Sequence, residues 1–313
     1  MSQRNQLPLQ QALLNHLEIN DCIQQGHYWN GNGMPWSMRQ PRQGNSGDLT
    51  SLQQGSGIDF SETRPYQAGD EPRHINWRAT ARTGRPQVRV FHEDLSPHCY
   101  FMIDRRASMR FGTRTRLKVT QAARLAIFLA SQEAQKGAET GSLILNKKPQ
   151  WQPAISGQQG IYQLAQLATA PCPPMRNDST LSIKQALSLL AEYIPPGSHI
   201  YLLSDFYDLR KEMLAPLFQL GQQHRVWAID IYDKAEQQLP NAGYLRLLWN
   251  QQDALKNNIL INTQDSSVKK QYQKGFEQKQ QQIKKLCEMA DINFTSVCSH
   301  TENISSALLG TSL

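Results

Sequence analysis

Two aspartates stand where carboxylates can do chemistry. Asp104 opens DRRASM directly after the apolar run HCYFMID, and Asp205 closes SHIYLLSD. Ser108 follows the first aspartate, and Thr180 or Ser182 opens a later helical segment. Carboxylates and hydroxyls converging on one point are hard oxygen ligands, the set magnesium takes while keeping several of its waters. Paired aspartates around a metal also serve phosphoryl transfer, so a metal-dependent phosphoryl hydrolase is one alternative. Each residue has a plainer role too, because Asp or Ser after a strand commonly caps the next helix.

An enzyme would need more than the carboxylates: a nucleophile, a cation clamp and an acid or base within hydrogen-bond reach. The chain has no Gly-rich P-loop, no GxSxG and no HExxH, and its eight histidines are not grouped at metal-ligand spacing. The expectation is therefore a binding protein, not an enzyme.

The elements that must position these residues alternate strand and helix. His98–Asp104 and Ser198–Asp205 read as buried parallel strands. Thr140–Asn146, His224–Asp233 and Asn293–Cys298 read as further strands. Helices are expected over Arg116–Gln135, Ile161–Thr169, Thr180–Tyr193, Glu212–Gln222 and Ser267–Ala290, with Asn303–Leu309 closing the chain. Tyr244–Trp249 and Asn258–Asn262 form a hairpin insertion, about residues 244–262. Such alternation predicts a doubly wound, mostly parallel α/β sheet covered on both faces, with ligands outside the carboxyl ends of its strands. Both central strands end on an aspartate there.

Before this domain, Gln87–His92 alternates like a strand behind the Gly84-Arg85-Pro86 turn, which suggests a small β-rich unit over residues 51–97. Residues 1–50 read as an amphipathic helix, Leu9–Asn20, and a flexible arm rich in Gly, Asn, Gln and Pro. Residues 98–313 form the α/β domain.

Composition sets outer bounds. With 39% hydrophobic and 19% charged residues, the 313-residue chain reads as globular. No apolar run is long enough to span a membrane, and the N-terminus lacks a signal-peptide core. Five scattered cysteines argue against a disulfide framework or a zinc site, so the expected compartment is the cytoplasm. The net charge of +7 is concentrated: Glu62–Lys118 holds twelve Lys or Arg against six acids. An arginine-rich segment, 64–116, leaves a nucleic-acid binder as a second alternative, with local ion pairing as the competing role.

The strand-end set resembles the metal-ion-dependent adhesion site of von Willebrand factor A domains, whose first strand ends in Asp-x-Ser-x-Ser. The resemblance matches Asp104 to the first Asp, Ser108 to the second Ser, Thr180 to the middle-loop Thr and Asp205 to the last Asp. It implies a bound Mg2+. Arg106, however, stands at the first Ser. A guanidinium there removes an oxygen and adds a positive charge, so Arg106 either fills the site by pairing with an aspartate or faces a partner's carboxylate.

The block before the first strand resembles the bacterial domain of unknown function 58 family. The residues that carry this are Gly55 to Phe60, Arg64 and Tyr66, then Gly69, Asp70 and Arg73, then Ile75 to Arg82. The similarity continues through Asp230–Gly243 and Tyr272–Phe276. It implies a von Willebrand factor A-like fold and partnership with a MoxR-type AAA+ ATPase and its client protein, as an adaptor in maturation or assembly. Within the block, Gly69, Asp70, Arg73, Asn76, Trp77 and Arg82 are expected to be structural, with Trp77 as a packing anchor.

Overall fold

In the computed structural model of the chain, the described residues are 12–29, 59–66, 75–92, 98–173, 181–248 and 258–309. The chain divides into two compact units, Met38–Ser96 and the remainder, Met1–Ser37 with Pro97–Leu313. The first helix, α1, spans His16–Tyr28, later than the Leu9–Asn20 expected. Asn15 fixes its start: the Asn15 side chain accepts from the Glu18 N–H, and Glu18 answers on the Asn15 N–H, a reciprocal capping box.

In the smaller unit, β1 (Asp59–Pro65) pairs antiparallel with β2 (Gln87–His92). A short helix between them, α2 (Trp77–Thr83), is an addition to the expected β-rich pattern. Asn76 caps it through the Ala79 N–H, and Gly84 ends it at φ 69°, a left-handed conformation that favours glycine. Trp77 corrects the expectation of a packing anchor, since it is 71% exposed; Arg82 is exposed as well. Gly69, Asp70 and Arg73 lie outside the described residues.

The larger unit begins with β3 (His98–Asp104), α3 (Lys118–Gln135), β4 (Glu139–Leu145) and β5 (Gln150–Ile155). It continues with α4 (Gly157–Thr169), α5 (Ile183–Tyr193), β6 (His199–Ser204), α6 (Leu214–Gln223) and β7 (Arg225–Tyr232). After α7 (Lys234–Gln237), β8 (Tyr244–Leu248) pairs with β9 (Asn258–Asn262) in the expected antiparallel hairpin. Helix α8 (Ser266–Met289), β10 (Asn293–Cys298) and α9 (Ile304–Leu308) complete the unit.

Six strands form one sheet in the order β10-β7-β6-β3-β4-β5, parallel except for β5. The edge strand β5 escapes an apolar-run reading: it is Gln150-Trp151-Gln152-Pro153-Ala154-Ile155, with Pro153 tolerated at an edge. Alternate residues of β3 face opposite cores. Cys99, Phe101 and Ile103 pack with Tyr201, Leu203, Trp227 and helix α3. Tyr100 and Met102 pack with Ile200, Leu202 and helices α5, α6 and α8. Helix α3 is covered on all sides, every residue from Lys118 to Glu133 being buried. Part of that cover is α1, whose Gly26 passes so close that an added Cβ would lie 2.3 Å from the Phe128 carbonyl oxygen. The N-terminal helix thus belongs to the α/β unit. Among the described residues no helix is long and apolar enough to cross a membrane.

Sheet order sets the location of a site. From β3 the chain goes first to β4 on one side and returns to β6 on the other. That reversal opens a crevice at the carboxyl ends of β3 and β6. Asp104 is the last residue of β3, and Asp205 immediately follows β6.

Candidate functional site

Asp104 is fully buried, and its partners are built into the chain. The Arg106 backbone N–H donates to Oδ1 at 2.9 Å, and the Arg106 guanidinium turns back on the same carboxylate. Its Nε donates to Oδ1 at 3.0 Å, and its Nη2 to Oδ2 at 2.8 Å. Ser204, at the end of β6, adds its hydroxyl to Oδ2 at 2.7 Å. Burial raises the Asp104 carboxyl above the usual range, and the Arg106 and Ser204 bonds partly offset that rise. The far face of Arg106 holds Asp208, with Nη1 at 2.6 Å and Nη2 at 2.8 Å from its two oxygens. Against the effect of burial, Arg106 holds the Asp208 carboxyl below its usual range.

Asp205 has a cation of its own. Lys118, the first residue of α3, places Nζ 2.9 Å from Asp205 Oδ2 and 2.8 Å from Glu236 Oε1. Burial alone would raise the Asp205 carboxyl, but Lys118, Lys279 and a hydrogen bond from Ser108 hold it below the usual range. The Tyr207 N–H donates to Oδ1 at 3.2 Å. Between them Phe206 sits at φ 47°, a region bulky residues rarely enter, at a cost of about 1–3 kcal/mol. Its buried ring and the bond from its N–H to Ser204 Oγ, 3.0 Å, hold it there.

Thus Asp104, Arg106, Ser108 and Asp205 come together at the strand ends, while Thr180 lies outside the described residues. Ser182 caps α5 in a box with Gln185 and is no part of the cluster. The donor set does not fit a divalent cation in this arrangement. Every carboxylate oxygen of Asp104 and Asp205 already accepts an N–H or O–H, and two fixed cations occupy the charge-balancing positions. Among the described residues no three His, Cys, Asp or Glu are grouped to hold a metal.

Sequence reasoning left out four members of the cluster: Lys118, Ser204, Asp208 and Glu236. One of them carried a signal, since Asp233 and Glu236 form the capping box of α7, readable as D-x-x-E. Three neighbouring arginines are paired within the chain. Arg105 donates to the Leu167 and Pro171 carbonyls at 2.7 and 3.2 Å and also to Ala170. Arg110 holds the Arg105 carbonyl and Asn146, each at 2.9 Å. Arg116 grips Glu302 through two 2.9 Å bonds. Beside β6, Asp230 is buried with one oxygen lacking a partner among the described residues, and burial pushes its carboxyl up to about 6.

Among solved structures, the BatB protein of Bacteroides thetaiotaomicron aligns with 69% of the chain over 100% of its own length, with TM-score 0.46 and 12% identity. An aerotolerance-related membrane protein of Bacteroides fragilis matches 69% of the chain over 96% of its own length, with TM-score 0.43 and 13% identity. A von Willebrand factor type A structure from Catenulispora acidiphila matches 47% of the chain and 35% of its own, with TM-score 0.33 and 14% identity. By sequence, the uncharacterized proteins Rv1480 of Mycobacterium tuberculosis and Mb1516 of Mycobacterium bovis are each 31% identical over 199 residues. That alignment takes in 63% of this chain, and the chain spans 62% of each relative's length. Residues 62–282 match the family described as protein of unknown function DUF58, and the chain belongs to that family.

Proposed function

We propose that the larger unit is a von Willebrand factor A-like protein-binding module, non-enzymatic, whose partner docks at the carboxyl ends of β3 and β6. The observation that carries this reading is the pairing of each strand-end aspartate with a built-in cation, Arg106 on Asp104 and Lys118 on Asp205. Each buried charge is neutralised and fixed, which favours a rigid recognition face over a reaction centre. The hydroxyls nearby are engaged by carboxylates, Ser108 by Asp205 and Ser204 by Asp104, and among the described residues no histidine is bonded to either. Phe111 and Tyr207, 43% and 58% exposed, follow the two strands and are of the kind that anchors interfaces. In this reading Arg106 supplies the carboxylate-attracting charge, and magnesium is not required.

Family membership supports the further assignment of an accessory factor that works with a MoxR-type AAA+ ATPase in maturing or assembling other proteins. At the strand ends the nucleic-acid alternative is weakened because Arg105, Arg106, Arg110 and Arg116 are paired within the chain, although Arg78, Arg82, Arg85 and Arg114 of the same segment are exposed. The test is a tagged pull-down from native lysate with magnesium and ATP, comparing wild type with Phe111→Ala/Tyr207→Ala. Recovery of an AAA+ ATPase by wild type and its loss with the variant would support the docking face. Equal recovery would move the contact elsewhere, and recovery of no ATPase would refute the partnership.

A further inference from the structure

The two strand-end cations share one pattern. Each holds a buried aspartate on its inner side and a partly exposed carboxylate on its outer side. Arg106 joins Asp104 (0% exposed) to Asp208 (30%), and Lys118 joins Asp205 (3%) to Glu236 (30%). The outer carboxylates differ in how else they are held. Glu236 is pinned through Oε2 by the Asp233 N–H at 2.8 Å, as part of the α7 cap. Beyond Arg106, Asp208 takes a long 3.3 Å bond from the Ile183 N–H and one from its own backbone. Asp208 belongs to no capping box, so its release from Arg106 undoes no helix cap, whereas release of Glu236 would undo that of α7.

We infer that Asp208 is an internal stand-in for a partner's carboxylate, displaced from Arg106 when an acidic segment of the partner docks. The incoming Asp or Glu takes the two guanidinium bonds Asp208 now accepts, and the bonds to Asp104 stay in place. A guanidinium offers a fixed fork of donors, so one bidentate carboxylate replaces another with little loss of bonding. The released Asp208 returns to water, which its present exposure makes cheap. While Asp208 is bound, the free protein shows an affinity reduced by the small fraction that is open. This inference rests on the docking face proposed above, and an acidic peptide is the partner chemistry it names.

The probe is a fluorescent hexaglutamate peptide, titrated by anisotropy at neutral pH and low salt into the full chain. Asp208→Asn removes the competitor without touching the Asp104 pair and is expected to bind about tenfold tighter than wild type, an effect of about 1.4 kcal/mol. Adding Arg106→Lys to that variant keeps a charge on Asp104 but removes the fork, and the gain should disappear. Circular dichroism confirms that each variant is folded. Equal affinity of wild type and Asp208→Asn, including no measurable binding by either, would overturn the exchange. Tighter binding of an equally charged single-stranded DNA than of the peptide would overturn the acidic-peptide assignment. If the peptide gain holds while the pull-down partner ignores Phe111 and Tyr207, the exchange stands and only the proposed docking face falls.

Discussion

Arg106, two residues after Asp104, turns its guanidinium back to bond both oxygens of that buried carboxylate and extends its other edge to Asp208. A single side chain thus ties the loop after β3 to the loop after β6. It occupies the position at which the adhesion-site pattern has a serine, and its charge balances the aspartates there.

Lys118→Met should be severely destabilising. It takes from the buried Asp205 carboxylate the cation bonded to it, leaving only the field of Lys279, and breaking a buried pair in this way costs about 3–5 kcal/mol. Urea unfolding of the variant and of Lys118→Met/Asp205→Leu would check this. The double variant, with neither charge, should recover much of the loss.

At the opposite end of β6, Glu133 accepts from Lys136 and from the Tyr201 hydroxyl and pairs with His199. Burial acts to raise its pKa, but His199 and Lys136 bring it down to about 2, from an ordinary 4.5. A depressed carboxyl stabilises the fold above its unfolded pKa, and that contribution is lost as pH falls from 4.5 towards 2. Glu133→Gln should lose up to roughly 3 kcal/mol, from about 1.4 kcal/mol per pKa unit, the full amount applying while His199 is protonated. Denaturant titrations of both proteins should converge near pH 2.

Asp230 works in the other direction. Its carboxyl is raised by burial to about 6, so the folded state holds a proton that the unfolded chain releases near 3.8. Stability therefore falls as pH rises from 3.8 to 6, and the ionised form remains a burden above that. Asp230→Asn should stabilise the protein at pH 7 by up to roughly 3 kcal/mol. Thermal unfolding at pH 7 and at pH 3.5 checks the sign, since the gain should be gone at the lower pH.

Gly26→Ala tests the docking of α1. Alanine is the better helix former, yet its Cβ would meet the Phe128 carbonyl at 2.3 Å. The expected outcome is a loss of about 1–3 kcal/mol, the cost of overpacking. Hydrogen exchange should speed up selectively in residues 16–28.

The strand ends were legible because β3 and β6 are continuous apolar runs closed by an aspartate, and that pattern alone locates the crevice. The Arg106 departure was legible for the same reason, as a wrong residue type at a spaced position. Lys118 was not. A fully buried lysine is rare, and its partners Asp205 and Glu236 lie 87 and 118 residues further along. Asp208 looked like an ordinary loop residue until the fold placed it on Arg106. Trp77 misled because its size suggests packing, whereas the helix it opens presents it outward. Asn15 displaced α1 because a cap, rather than the first leucine of the pattern, decides where a helix begins.

The most direct measurement is the thermal unfolding of wild type and Arg106→Ser, each in EDTA and in millimolar magnesium. With built-in cations at the strand ends, wild type should melt at the same temperature in both buffers. Arg106→Ser should melt lower in EDTA and be raised by magnesium, because the substitution opens an oxygen site around Asp104. A magnesium-dependent rise in wild type, with none in Arg106→Ser, would contradict the arrangement.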